Sequence, residues 1–73
     1  MSATITERQF AALAELLRLR NGPTRVVIRA VMVEGQAVAD AARAAPMDYR
    51  AASYAVKRAR KGLDLAREAV GPP

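Results

Sequence analysis

The fold is decided by residues 36–61, QAVADAARAAPMDYRAASYAVKRARK. The alanine-rich first part predicts a short helix over residues 36–45. Residues 46–48, Pro-Met-Asp, break that helix, and Asp48 is a typical N-cap for a second one. Two helices joined by three or four residues predict a helix-turn-helix, the motif whose second helix enters the major groove of DNA.

The second helix has two faces that can be read separately. One is an apolar stripe at the i, i+3, i+4, i+7 spacing of a buried helix face, made of Ala52, Ala55, Val56, Ala59 and Leu63. The other carries hydrogen-bond donors, positive charge and one aromatic ring, on Arg50, Ser53, Tyr54, Lys57 and Lys61. Such a face either binds a partner or is simply solvated, as charged helix faces usually are.

The net charge of +5 lies in the same segment. Residues 43–61 hold one acidic residue, Asp48, against six basic residues, Arg43, Arg50, Lys57, Arg58, Arg60 and Lys61. Their balance equals the net charge of the chain, so a positive field is concentrated on one helix and attracts polyanions or acidic protein surfaces. A helix that lies on a membrane would need large apolar side chains opposite its charges, and here that stripe is mostly alanine.

The composition predicts one small all-helical domain. Of the 73 residues, 17 are alanine, which suits helices that pack closely and adds little core volume. The absence of cysteine and histidine argues against disulfides and zinc and is consistent with a reducing cytosol. Residues 1–20 do not read as a signal peptide, and no apolar run is long enough to span a bilayer. We expect a single domain over residues 4–70 and a disordered end at 71–73.

The N-terminal helix has a well-specified start. Thr6 and Gln9 have the spacing of a capping box, and Ile5 and Phe10 that of a hydrophobic staple. We expect this helix to bury Phe10, Leu13, Leu16 and Leu17 and to carry Arg18 and Arg20 in its last turn. Residues 21–23, Asn-Gly-Pro, should stop it.

Residues 24–34 could form a buried strand or a helix, because they are rich in valine and isoleucine. A helix is favoured: Thr24 is a plausible N-cap, and a lone strand would leave its backbone groups unpaired. We expect the Val/Ile cluster to be core and Gly35 to end the element.

Gly62 should bend or end the second helix of the motif. The stripe of Leu63, Ala66 and Val70 would then pack back on the first helix or, alternatively, meet a partner chain.

Groups for catalysis are hard to assemble in this chain. The four glycines are isolated, so no loop can cradle a phosphate. Ser2 and Ser53 have no histidine to activate them. We therefore expect a non-enzymatic protein with no catalytic residue, no cofactor and no metal site.

Three blocks of the sequence resemble the DNA-binding part of the TrfB/KorA plasmid repressors: residues 5–10 (ITERQF), 29–35 (RAVMVEG) and 51–58 (AASYAVKR). The resemblance covers residues 4–64 without gaps. It implies a KorA-like, all-α bundle of four to five helices with the helix-turn-helix on residues 36–60. The positions that match the family's recognition helix are Tyr49, Arg50, Ser53, Tyr54 and Lys57, with Arg58 beside them.

The chain also departs from that pattern. Pro46 stands where the turn glycine is usual, and Ala45 and Ala52 replace larger apolar residues, so we expect the two helices to be thinly packed. The chain ends where those repressors continue into a dimerisation region. Operator binding of this kind relies on two half-sites read by a dimer. As a monomer the protein would be a poor sequence-specific repressor.

In length, alanine- and arginine-rich composition and overall character, the chain is also similar to a small transcription regulator encoded by a Xanthomonas phage. That resemblance implies a cytoplasmic protein of the bacterial host cell that binds host RNA polymerase through the N-terminal part of the β′ subunit. It would hinder σ-dependent initiation and promote antitermination.

Three hypotheses follow: a polymerase-binding phage regulator, a DNA-binding repressor of TrfB/KorA type, and a structural protein whose basic face confers solubility. In the first two, the partner should be bound by Arg43, Tyr49, Arg50, Ser53, Tyr54, Lys57, Arg58 and Lys61. The exposed side of the first helix, with Arg8, Glu15 and Arg18, is a rival surface.

Overall fold

A computed structural model of the chain describes residues 4–70. Four helices make up this part, and it contains no strand: α1 (Glu7–Leu16), α2 (Pro23–Met32), α3 (Val38–Ala44) and α4 (Tyr49–Val70). The predicted all-α class is confirmed, and the ambiguous residues 24–34 are helical through Met32. The end expected to be disordered, 71–73, lies outside the described residues. None of the helices described is long and apolar enough to cross a membrane.

The start of α1 is the one predicted. Gln9 N donates to Thr6 Oγ1 at 3.1 Å, and Thr6 N donates to Gln9 Oε1 at 2.9 Å, which completes the capping box. Ile5 and Phe10 are both buried in one apolar cluster. Two of the backbone groups that a helix start leaves unpaired are therefore satisfied locally.

The end of α1 is not where the sequence placed it. Leu19 N donates to Ala14 O at 2.8 Å and Arg18 N to Glu15 O at 3.1 Å, which is the bond pattern of a Schellman motif. Arg18 takes the left-handed position with φ 55°, where glycine is usual. The motif turns Leu19 back towards the core, and Arg18 and Arg20 follow the helix instead of lying in its last turn. Leu16, expected to be buried, is 61% exposed.

Two details of α2 also differ from the prediction. Its N-cap is Gly22 and Pro23 is its first residue, so Thr24 is not the N-cap. Proline suits this position because its ring presets φ and it has no N–H to leave unpaired. Val26 is 55% exposed and lies outside the core that Val27 and Ile28 enter.

α3 begins two residues later than the sequence predicts. Gln36 N donates to Ala30 O at 3.0 Å, which ties this residue to the end of α2. Ala37 is extended, and α3 therefore begins at Val38 and not at residue 36.

Four residues, 45–48, connect α3 to α4. Met47 N donates to Ala42 O at 2.9 Å, and Pro46 lies in this turn, where a glycine is usual. The predicted N-cap is confirmed, because Asp48 Oδ2 accepts from Arg50 N at 3.1 Å and from Ala51 N at 3.3 Å.

The core consists of two apolar clusters that α4 joins. The first packs α3 against α2 and α4 through small residues, among them Ala41, Ala42, Ala45 and Ala52. Ala45 and Ala52, which the sequence predicted to pack thinly, are both buried in this cluster. The second cluster packs α1 and α2 around Ala59, with Ala55 and Leu63 partly buried against it.

Gly62 neither ends nor interrupts α4, which is 22 residues long and continues past this glycine to Val70. A Cβ at Gly62 would lie 3.0 Å from Leu17 Cδ2, so the missing side chain lets α1 approach. Leu63 packs against the second cluster as predicted. Val70 does not pack back on α1, because it is 85% exposed.

Candidate partner-binding face

The outward face of α4 consists of Arg50, Tyr54, Lys57 and Lys61. These residues recur every three or four positions and are all exposed. Ala52, Val56 and Ala59 on the opposite side of the helix are buried. The predicted separation of a polar face from an apolar stripe is therefore present in the structure.

Of the other four predicted residues, three lie at the edges of this face and one lies on another helix. Tyr49 is exposed and Ser53 is half-buried, and their helical spacing places both at one edge of it. Arg58 lies at the opposite edge and lines a groove. Arg43 belongs to α3, where its Nη1 lies 3.5 Å from Asp40 Oδ1.

The cations of α4 are not neutralised by ion pairs within residues 4–70. The ion pairs of this part of the chain join Arg29 to Glu7 and Glu34, and Arg43 to Asp40. The only acidic residue at the start of α4, Asp48, uses its carboxylate to accept backbone N–H groups. The positive field of the outward face is thus directed to solvent, where it is available to an acidic surface.

An apolar groove of about 280 Å³ runs along one edge of the outward face. Residues of α2, α4 and the segments after α1 and α3 line it: Leu17, Leu19, Thr24, Ile28, Met47, Ala51, Tyr54, Ala55, Arg58 and Ala59. Arg58 is the one charged residue of this lining. Tyr54 therefore belongs both to the outward face and to the rim of the groove.

Sequence reasoning missed this groove. Ala51 and Ala55 lie at helical spacing along the edge of α4, but they give no signal by themselves. The opposite wall is formed by Leu17 and Leu19, and its position depends on the turn at Arg18 that ends α1 early. A helix continued to residue 20 would have carried these two leucines elsewhere.

The described residues include no group of three or more His, Cys, Asp or Glu side chains that could hold a metal ion. The outward face and the groove place long cationic side chains, a tyrosine and open apolar surface side by side. This arrangement suits the binding of a partner. Comparison with known proteins finds no matching family model and no matching curated protein.

Proposed function

We propose that this protein is a transcription regulator that binds bacterial host RNA polymerase, with the N-terminal region of the β′ subunit as its target. Binding would inhibit σ-dependent initiation and favour antitermination. The choice of polymerase as partner rests on the resemblance to the Xanthomonas phage regulator. The choice of a protein partner rests on one observation, the apolar groove beside the cations of α4, which form no ion pair within residues 4–70.

This observation favours a protein over DNA. Duplex DNA offers phosphates and polar base edges, and the only apolar group on its base edges in the major groove is the small thymine methyl. Bound DNA would therefore leave most of the apolar groove beside α4 unfilled. Protein interfaces combine an apolar centre with tyrosine and arginine, which are the residue types at this rim, Tyr54 and Arg58.

The test is complex formation with purified bacterial RNA polymerase in the absence of DNA. We expect co-elution in gel filtration at the position of the polymerase, with the free protein eluting as a monomer. Transcription from a σ-dependent promoter should fall when the protein is added, and read-through of a terminator should rise. A polymerase that elutes without the protein contradicts the proposal.

The alternative is a DNA-binding repressor of TrfB/KorA type. It is supported by the succession of α3, the four-residue connection and α4, which would form a helix-turn-helix with Arg50, Tyr54 and Lys57 directed at DNA. Such a repressor should shift one duplex sequence strongly. Its affinity should also fall steeply with salt, with a slope of about −0.9 for each phosphate contacted. Weak and equal binding to all duplexes excludes it.

Capture from bacterial lysate with and without nuclease separates the proposals. Polymerase that stays bound after nuclease treatment supports direct protein binding. Polymerase that is lost after treatment indicates a DNA bridge and favours the alternative. Capture of neither polymerase nor DNA leaves the third hypothesis, a basic face that confers solubility.

A further inference from the structure

We infer that the groove beside α4 accepts one large apolar side chain from an acidic segment of a partner protein. The inference rests on the proposed function in one respect, that the partner is a protein. It adds what that partner must present: carboxylates for the cations and an aliphatic or aromatic side chain for the groove.

The size of the groove suits a side chain. Its volume of about 280 Å³ leaves room for one side chain from a partner. The lining is apolar except at its rim, and Ile28 and Ala59 at its base are buried. Leu17 and Leu19 are only half-buried, so a side chain placed here would remove their open apolar surface from water.

The charges around the groove select an acidic segment. Arg58 lines it, and Arg50 and Lys57 lie on the neighbouring outward face. All three are exposed and none forms an ion pair with another residue in the described part of the chain. A segment lying over the groove would thus meet Arg58 and the cations of the outward face.

Neighbouring charged groups form no ion pair with these cations within residues 4–70. The carboxylate of Asp48 accepts two backbone N–H groups at the start of α4. Arg25 is also engaged: its guanidinium lies 5.3 Å from the centre of the Phe10 ring and its Nη1 donates to Leu19 O at 3.4 Å. The complementary surface is therefore negative, with an apolar centre.

The first test uses two short acidic peptides that differ only at one central position, Leu or Ser. Nuclear magnetic resonance titration of the full chain measures both affinities. We expect the Leu peptide to bind about tenfold more tightly or better, and the amide signals of Ala51, Ala55 and Leu19 to shift most. Equal affinity of the two peptides, or no binding of either, overturns the inference.

The second test fills the groove. Ala51 is exposed and lines the groove, so Ala51→Leu should occupy it without disturbing the core. Ala39→Leu makes the same change at an exposed position of α3 outside the groove lining and serves as the control. We expect Ala51→Leu to lose about tenfold in affinity for purified RNA polymerase, and Ala39→Leu to bind like the wild type.

The outcomes for the inference and for the proposed function differ. If wild type and Ala51→Leu bind polymerase equally well, the groove inference is wrong and the proposed function stands. If the wild-type protein does not bind polymerase, the proposed function fails, and the two peptides alone decide whether the groove takes an apolar side chain.

Discussion

Arg29 of α2 and Glu7 of α1 form an ion pair between residues that are 22 positions apart in the chain. Arg29 Nε donates to Glu7 Oε1 at 3.0 Å, and a second contact joins Nη2 to Oε2. The remaining nitrogen, Nη1, lies 2.6 Å from Glu34 Oε2. One guanidinium therefore ties the start of α1 to the end of α2 and to the segment that follows it.

This pair predicts how stability depends on pH. The hydrogen bond from Arg29 lowers the pKa of Glu7 below its ordinary value of 4.5. A pKa that is lowered in the folded state stabilises the protein above pH 4.5. This stability is lost as the pH falls through the pKa that Glu7 has in the folded state. Glu7→Gln should thus be less stable than wild type near neutral pH, and the difference should shrink below pH 4.5. Urea denaturation at several pH values measures this.

A matched control for this prediction is Glu15→Gln. Glu15 is exposed on the same helix and forms no ion pair within residues 4–70. In an Arg29→Gln background, Glu7→Gln should have a much smaller effect, because the partner is gone. An unchanged effect in that background would assign the stability to the helix dipole of α1 instead of to the pair.

Arg18→Gly should stabilise the protein. Arg18 holds the left-handed position of the Schellman motif, which costs an L-residue about 1–2 kcal/mol. Glycine removes this cost but enlarges the entropy of the unfolded chain, so we expect a net gain of about 0.5–1 kcal/mol. Arg20→Gly removes the same charge from the same segment without a positive φ and should give no gain. Equal effects of the two substitutions in urea denaturation would contradict the assignment.

Much of the fold could be predicted from local signals. The capping box of Thr6 and Gln9 and the N-cap Asp48 use bonds between residues two or three apart, so sequence spacing suffices to find them. The apolar stripe of α4 is equally local, because it follows from the helical repeat.

The errors came from residues whose role is set by the rest of the fold. Arg18 adopts a conformation that favours glycine because Leu19 must return to the core, and no residue near it signals this turn. Gly62 reads as a helix breaker, yet α4 continues through it, and its missing side chain leaves room for Leu17. The groove needs Leu19 and α4 side by side and could not be foreseen from either segment alone.

A single charge reversal should locate the binding face. Lys57→Glu reverses the charge at the centre of the outward face. We expect at least a tenfold loss of affinity for the polymerase, because the new carboxylate would repel the acidic groups of the partner. Since Lys57 is exposed, the free energy of unfolding should change by no more than about 0.5 kcal/mol. Arg8→Glu makes the same change on the rival surface of α1. If Arg8→Glu weakens binding more than Lys57→Glu does, the partner contacts α1.

Two adjacent alanines of α4 should differ in how much the same substitution destabilises the protein. Ala52 is fully buried where α4 packs on α3, so Ala52→Leu forces a larger side chain into a closed contact and should destabilise the protein by about 1–3 kcal/mol. Ala51 is exposed at the groove, and Ala51→Leu should change stability by no more than about 0.5 kcal/mol. Thermal and urea denaturation of both variants measure the difference. If Ala52→Leu were tolerated as well as Ala51→Leu, the small residues between α3 and α4 would not be in close contact, and the position of the outward face of α4 would have to be assigned anew.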